Sequence, residues 1–398
     1  RGIDAPMNVV RSDGTLMGRE MAMQRPIDTM YSGPVASVGG ARWLTGIKDA
    51  LVLDMGGTTT DIARLIDGRP KASQGLSLDR YRLAVGTLDI QTSGLGGDSE
   101  IKLDGRGGFT IGPERVIPIS YVAWREPHIK DEVKSWAEGR DLHVDAGLLP
   151  PIAVYTFLEG NQRNGALSSL EERILDFLQE KSASVFQIAD YLQYPYPSLL
   201  SLRGLEERGL IHRVGLTPTD VLSGIGVLDL WDGEAARWAL ELYAKRLGMN
   251  AEDFALAVRR ELTKRLSSVL LGVALGEETR DGGWETAACQ YLLEKSLFGG
   301  KGAVRVSLGL DLPLIGVGAP VAAYLPDVAE GLGCKLVLPE HHEVANAVGA
   351  VIGQISYRSE AVIRSLETGG VAVYGPGQRQ TFKHRAQAIK AAEEMVRN

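Results

Sequence analysis

The chain has 398 residues, 44% of them hydrophobic and 23% charged, with a net charge of −7 at pH 7. That length accommodates about two to three domains. The acidic balance argues against sequence-independent nucleic-acid binding, and no apolar run reaches the ~18 residues that would nominate a membrane span. The two cysteines, Cys289 and Cys334, lie outside any CxxC pair. This excludes a cysteine zinc site and points to a reducing, cytoplasmic setting.

The chain opens RGIDAPMNVV, with neither a Met nor a signal segment, and Val9 and Val10 read as part of a strand. It is therefore expected to be a fragment of a longer protein. PVASVGGARWLTG (34–46) carries small residues at helical spacing and reads as a helix packed closely on a neighbour. LVLD (51–54) reads as a buried strand and DIARLID (61–67) as a second, with a hairpin turn at Asp67-Gly68. The turn between them is Asp54-Met55-Gly56-Gly57-Thr58-Thr59-Thr60-Asp61. Glycines there free the backbone for positive φ and close approach to phosphate oxygens, and the hydroxyls of Thr58 and Thr59 donate hydrogen bonds. Asp54, at a strand end, can hold Mg²⁺ through water. A P-loop would run from strand into helix and carry GK[ST]; this turn does neither.

GLGGDSEIKLDGRGGFTIGP (94–113) is a second glycine-rich region, with short strands around Asp104-Gly105; Gly96, Gly97 and Asp98 are its candidate ligand contacts. Prolines 118, 127, 150 and 151 interrupt residues 114–165, where no long period survives. Residues 168–216 then read helix, helix, helix, strand, the order of a winged helix, with PSLLSLRGLEERG as third helix. Its basic residues Arg173, Lys181, Arg203, Arg208 and Arg213 are outnumbered by Glu171, Glu172, Asp176, Glu180, Asp190, Glu206 and Glu207. A packing or protein-contact role is therefore expected rather than DNA reading.

Helices are expected over 235–248 and 251–272, the second capped by Asn250. GAVRVSL (302–308) and LPLIGVGAP (312–320) read as strands. Gly316, Gly318 and Ala319 of the latter stand between strand and helix, where backbone can carry a nucleotide. A helix over 321–333, a strand at KLVLP, a helix over 343–356, a hairpin over 369–382 and a terminal helix follow. Strands alternating with helices imply a layered α/β domain. His341-His342 read as a surface loop, the histidines at 128, 143, 212 and 384 have no visible partner, and Asp220 reads as a helix N-cap.

Taken together, RPIDTMYSGPVASVGGA (25–41), ALVLDMGGTTTDIARLIDGRP (50–70), GLGGDSEIKLDG (94–105), GLTPTD (215–220), PLIGVGAP (313–320) and VLPEHHEVANAVGAVIG (337–353) resemble the hydantoinase A / 5-oxoprolinase family. That family is a branch of the actin, sugar-kinase and chaperone ATPase superfamily. The resemblance implies an ATP site between two lobes of ribonuclease-H-like topology. LDMGGTTTD would be the second phosphate hairpin, SGPVASVGGA and NAVGAVIG the paired connecting helices, and IGVGAP the adenosine loop. It implies Mg²⁺-dependent, ATP-driven opening of a cyclic amide (a hydantoin, 5-oxoproline or lactam) through phosphorylation of the carbonyl oxygen, with some relatives carboxylating ketones instead. A hydantoinase B-like partner subunit is implied, with homo-oligomerisation left open. The expected organisation is 1–165 and 217–398 as the two parts of the ATPase core, and 166–216 as a winged-helix-like insert. Two departures stand out. The family's first phosphate hairpin is absent and expected upstream, which would leave this chain inactive alone. IGPERVIPISYVAWRE (111–126) replaces the family's Cys-Tyr-Gly segment. The alternatives are a non-catalytic nucleotide-binding scaffold and a sugar-kinase-like phosphotransferase.

Overall fold

The computed structural model describes residues 5–78, 81–139, 149–157, 167–276, 284, 286–353, 361–366, 369–375 and 378–397. The chain begins with a small antiparallel pair, β1 (Asn8–Val10) and β2 (Leu16–Gly18), followed by α1 (Arg19–Gln24) and α2 (Ser32–Thr45). Gly46 then takes φ 67° and its N–H caps Arg42 O, which ends α2.

The phosphate-hairpin region forms as strands. β3 (Ala50–Met55) pairs antiparallel with β4 (Thr60–Ile66), Asp54 facing Asp61 and Met55 facing Thr60. Asp67 and Gly68 both take positive φ, as a two-residue hairpin turn demands, and β5 (Arg69–Pro70) turns back on β4. β6 (Ala72–Leu78) and β7 (Tyr81–Leu88) form a separate ribbon, and β8 (Ile90–Ser93) takes over as partner to the first half of β4. β9 (Ser99–Leu103) and β10 (Phe109–Arg115) form the hairpin expected around Asp104, whose carboxylate accepts from the N–H groups of Arg106 and Gly108.

The stretch from 114 onward is more regular than its prolines suggest. After β11 (Ile117–Pro118) come α3 (Ile119–Arg125) and α4 (His128–Ala137). Pro118 and Pro127 are the N-cap residues of those helices, where a missing N–H does no damage. Then follow β12 (Val154–Thr156), α5 (Ser169–Glu180), β13 (Ala183–Ser184), α6 (Val185–Leu192), α7 (Arg203–Glu207) and β14 (His212–Gly215). The helix order of the insert holds, but the wing does not. A 3-10 turn at Pro197–Leu199 replaces the first part of the third helix. β14 pairs with β12 and β11 and leads directly into α8 (Pro218–Gly224) rather than into a wing hairpin.

α9 (Gly233–Arg246) and α10 (Ala251–Leu275) match their expected spans, with the Asn250 side chain accepting from Asp253 N at 2.7 Å. α11 (Ala287–Phe298) had no counterpart in the sequence reading. The strand expected over 302–308 is absent; that segment is held instead by single bonds, such as Leu308 N to Ser296 Oγ. β15 (Leu314–Val317), α12 (Val321–Gly331), β16 (Leu336–Val337) and α13 (Ala345–Ile352) follow. Part of the helix expected over 343–356 lies outside the described residues, as does His143. The chain closes with a sheet of β17 (Val362–Ser365), β18 (Val371–Gly375) and β19 (Gln378–Phe382). α14 (Arg385–Arg397) covers it around its own small core of Val373, Ala388, Ala392 and Met395.

The sheet that matters for the site runs β16-β15-β3-β4-β5, with β8 beside β4. β15 and β16 are parallel to β3, whereas β4 is antiparallel to it. Side chains alternate along β3. Leu51, Leu53 and Met55 enter the large core shared with α10 and α12; Ala50 and Val52 meet α2 and α13 on the other face. Asp54 therefore falls on the α2 face. No helix among the described residues is long and apolar enough to cross a membrane.

α2 and α13 cross at backbone distance. A Cβ on Gly40 would lie 1.9 Å from Ala345 O, and one on Gly349 1.7 Å from Ala36 O. Each helix thus supplies the glycine that the other's carbonyl requires. Gly40→Ala and Gly349→Ala should each cost about 1–3 kcal/mol or more, since the helices must separate to admit the methyl group. Urea unfolding would read this, with Gly33→Ala, which has open space around its Cβ position, as the tolerated control.

Candidate functional site

The Gly56–Thr59 turn is closed by a single bond, Gly56 N to Thr59 O at 2.9 Å. Neither Gly56 nor Gly57 takes positive φ, contrary to the expectation from sequence. What Gly57 provides is clearance: a Cβ there would lie 2.5 Å from Asp98 Oδ2. The second glycine loop lies on the hairpin backbone to backbone. A Cβ on Gly96 would meet Gly57 O at 2.4 Å. Gly97 N donates to Gly56 O at 3.0 Å, Asp98 N to Gly57 O at 2.7 Å, and Gly96 N to Ser99 Oγ at 2.9 Å. The amides of Gly97 and Asp98 thus brace the hairpin, the Gly96 amide closes the loop on Ser99, and the Asp98 carboxylate pairs with Arg115 at 3.0 Å.

The other wall comes from β15. Its parallel register sets Val317 beside Asp54, so the chain emerges at Gly318 directly over the end of β3. Gly318 takes φ 100°, and a Cβ there would meet Met55 O at 2.2 Å and Asp54 Oδ1 at 3.0 Å. Gly316 has a different reason to be glycine, because Leu325 and Leu338 fill the space its side chain would need. His342, read from sequence as loop, is tied to this wall twice. Gly318 N donates to His342 O at 2.8 Å, and His342 Nδ1 sits 3.1 Å from Gly318 O. A carbonyl oxygen only accepts, so Nδ1 carries the proton in that contact.

Between the walls lies a cavity of about 230 Å³. Asp54, Gly56, Gly57, Gly318 and Ala319 line it, together with Ser37, His342, Glu343 and Asn346, which sequence reasoning missed. Thr58, exposed, and Thr59, half-buried, stand outside that lining, as do Gly96, Gly97, Asp98 and Gly316. Thr59 and Thr92 instead donate to the Asp61 carboxylate. The missed residues carried one faint signal: Ser37 sits in the helix whose small residues already announced a close neighbour.

The electrostatics are one-sided. Asp54 is pushed up to about 6, first by burial and further by Asp61 opposite it; a hydrogen bond from the Ser37 hydroxyl works against both. Asp61 is raised too, mainly by burial, with Thr92 and Thr59 opposing. The lining holds Asp54 and Glu343 but no Lys or Arg. Among the described residues no three acidic, His or Cys side chains group as a self-sufficient metal cage. The donors present are hard oxygens, suited to Mg²⁺ that keeps most of its waters and takes one carboxylate.

Residues 1–120 match the model of the hydantoinase/oxoprolinase family. The matched stretch supplies the hairpin wall, α2 and the bracing loop; the Gly318 wall lies beyond it. Over 115 residues the chain is 30% identical to caprolactamase subunit alpha of Pseudomonas jessenii, covering 28% of this chain and 16% of that subunit. Over 188 residues it is 27% identical to the acetone carboxylase beta subunit of Xanthobacter autotrophicus, covering 44% of this chain and 25% of that subunit. The chain thus matches a quarter or less of the length of either relative. The solved nucleotide-free structure of acetone carboxylase aligns with a TM-score of 0.49 at 17% identity, over 92% of this chain and 38% of that one.

The raised Asp54 carries a stability consequence. An unfolded aspartate titrates near ~3.9. The folded one, near about 6, binds more protons through the interval, so its contribution to stability is full below about pH 4 and lost as pH rises through 6. Asp54→Asn should therefore gain about 1–2 kcal/mol at pH 7 without divalent cation or nucleotide, and flatten the decline between about pH 4 and 6. Some slope should persist, because burial also pushes Asp220 up to about 6. Denaturant titrations of both proteins from pH 4 to 8 would show it; an unchanged slope would assign the titration elsewhere.

Proposed function

We propose that this chain carries the nucleotide-binding part of an ATP-dependent enzyme that activates a carbonyl group, and that its reaction opens a cyclic amide ring such as a hydantoin, 5-oxoproline or lactam. The observation that carries this reading is the placement of Asp54. It is the penultimate residue of the central strand, half-buried, in a cavity walled by a glycine hairpin on one side and the Gly318 loop on the other. The family match over residues 1–120 supports the substrate class, and the two curated relatives are named for a lactam and for a ketone, both carbonyl compounds. The sheet order β16-β15-β3-β4-β5, with β4 antiparallel to β3 and β15 and β16 parallel to it, supports reading this part as a ribonuclease-H-like lobe of the actin-type ATPase kind.

In this reading Asp54, its carboxylate oriented by the Ser37 hydroxyl, would hold Mg²⁺, which would supply the charge neutralisation that a polyphosphate needs here. Gly56 and Gly57 border the phosphates, with Thr58 and Thr59 on the same turn just outside the lining, and Gly318 and Ala319 carry the adenosine side. The cavity needs the cation because a polyphosphate would otherwise face Asp54 and Glu343 with no basic side chain in the lining. Phosphoryl transfer rests on positioning and charge neutralisation more than on covalent chemistry, which suits a site that joins glycine backbone to the carboxylates of Asp54 and Glu343. The bond from the terminal phosphorus to its bridging oxygen breaks as the amide oxygen takes the phosphoryl group, and ADP leaves. Water then attacks the activated carbon; opening the ring and releasing phosphate consume two waters overall. A partner subunit of the hydantoinase B kind would supply ring-binding residues, in keeping with relatives that are themselves named as subunits. The division into core segments 1–165 and 217–398 with 166–216 inserted belongs to the same proposal.

Calorimetry of the full natural protein with Mg²⁺-ATP tests this. Saturable, Mg²⁺-dependent heat is expected, weakened about tenfold or more in Asp54→Asn, the scale of one lost charge-assisted contact. Product analysis with hydantoin, 5-oxoproline and a lactam should show an opened ring with ADP and phosphate. A phosphorylated sugar instead would indicate a kinase, and absence of any nucleotide heat would remove the ATPase reading.

A further inference from the structure

The GLTPTD segment was read from sequence as a bland helix start with Asp220 as cap. In the structure Thr217 is the N-cap of α8, and Asp220 is the third residue of a capping box. Asp220 also reaches across the chain. Fully buried, it accepts from Thr217 N and Oγ1 at 2.9 and 2.8 Å, and from Ser120 N and Oγ at 3.0 and 2.6 Å, with Ile119 N at 3.3 Å. A carboxylate with that many donors fixes the turn to the start of α3 and leaves it little freedom.

The held turn touches both walls of the cavity. On one side Thr219 N and Oγ1 both donate to Gly97 O, at 3.0 and 2.8 Å. Gly97 and Asp98 are in turn the residues whose amides hold the hairpin carbonyls of Gly56 and Gly57. On the other side the Tyr324 hydroxyl donates to Pro218 O at 2.8 Å from within α12, the helix that follows Gly318, Ala319 and Pro320. Tyr324 is 3% exposed, so its hydroxyl is buried for one bond where a phenylalanine would fill nearly the same space. The hairpin turn has one internal bond of its own, so its position is set from outside.

We propose that the Thr217–Asp220 turn is the spacer that sets the gap between the hairpin and the Gly318 loop, with Thr219 and Tyr324 as positioning residues. This deepens the nucleotide reading above and rests on it for its functional consequence. The positions lie behind the walls, outside the cavity lining, so their substitution alters geometry without removing a ligand contact.

The test uses the full chain with Thr219→Val, its conservative counterpart Thr219→Ser, Tyr324→Phe, and the remote control Thr263→Val, whose hydroxyl bonds Arg259 O within α10. Two quantities are measured: Mg²⁺-ATP affinity, and hydrogen exchange of the Gly97 and Asp98 amides. Thr219→Val and Tyr324→Phe should each weaken affinity about fivefold, the scale of one hydrogen bond. Thr219→Val should speed exchange at both amides to a similar degree, Thr219→Ser should restore both readouts, and Thr263→Val should move neither. Unchanged exchange and unchanged affinity in Thr219→Val would overturn the proposal, as would equal effects from Thr263→Val. If the unsubstituted protein binds no Mg²⁺-ATP, the nucleotide reading fails separately, and the exchange of the two amides alone decides whether the turn positions the hairpin.

Discussion

Backbones that touch, with no room left for a Cβ, are the constraint on which this architecture depends. Gly40 and Gly349 let α2 and α13 cross carbonyl to Cα, Gly96 lets the bracing loop lie on the hairpin, and Gly318 lets β15 end over Met55. Each contact brings dipolar peptide groups together where side chains would otherwise keep them apart. The result is a cavity in which the glycine backbone of Gly56, Gly57 and Gly318 stands beside the side chains of Ser37, Asp54, His342, Glu343 and Asn346, held in place by strand register and loop packing. Such walls suit a ligand recognised by its phosphates, because peptide N–H groups donate without conformational cost.

The same closeness explains the charge pattern. Asp54 and Asp61 face each other across β3 and β4, a pairing that two like charges disfavour. Asp61 is relieved by the Thr59 and Thr92 hydroxyls and Asp54 by Ser37. The relief is partial, since both carboxylates remain harder to ionise than in water. A cation is the one addition that would favour both ionised forms together. The hairpin thus carries a local electrostatic cost that a bound cation would offset.

The sequence made the hairpin legible because its features are local: a buried run ending in Asp, a glycine turn, and alternation on the far strand. Close packing of α2 was legible from its small residues, while its pairing with the helix at 343–353 came only from the family resemblance. What remained hidden was non-local. The ring of His342 reads as loop until β15 and β3 are aligned, and Asp220 reads as a cap until Ser120, a hundred residues away, is brought to it. Prolines 118 and 127 masked two helices because a proline that starts a helix and one that breaks it look alike in sequence. GAVRVSL reads as a strand, but among the described residues no strand pairs with it, and an apolar pattern alone forms no ladder. The third helix of 168–216 is shortened to α7, because the residues from Pro197 form a 3-10 turn in place of its first part.

Register joins these parts into one site. The hairpin and the Gly318 loop are more than 250 residues apart in the chain, and only the parallel pairing of β3 with β15 makes them neighbours. A shift of one residue in that pairing would turn Asp54 and Val317 out of alignment and exchange the faces of β15, sending Ile315 and Val317 away from α2. The apolar alternation on both faces makes such a slip costly. The register that buries Val317 is therefore the register that delivers Gly318 to Asp54, so the hydrophobic core and the candidate site are specified by the same side chains.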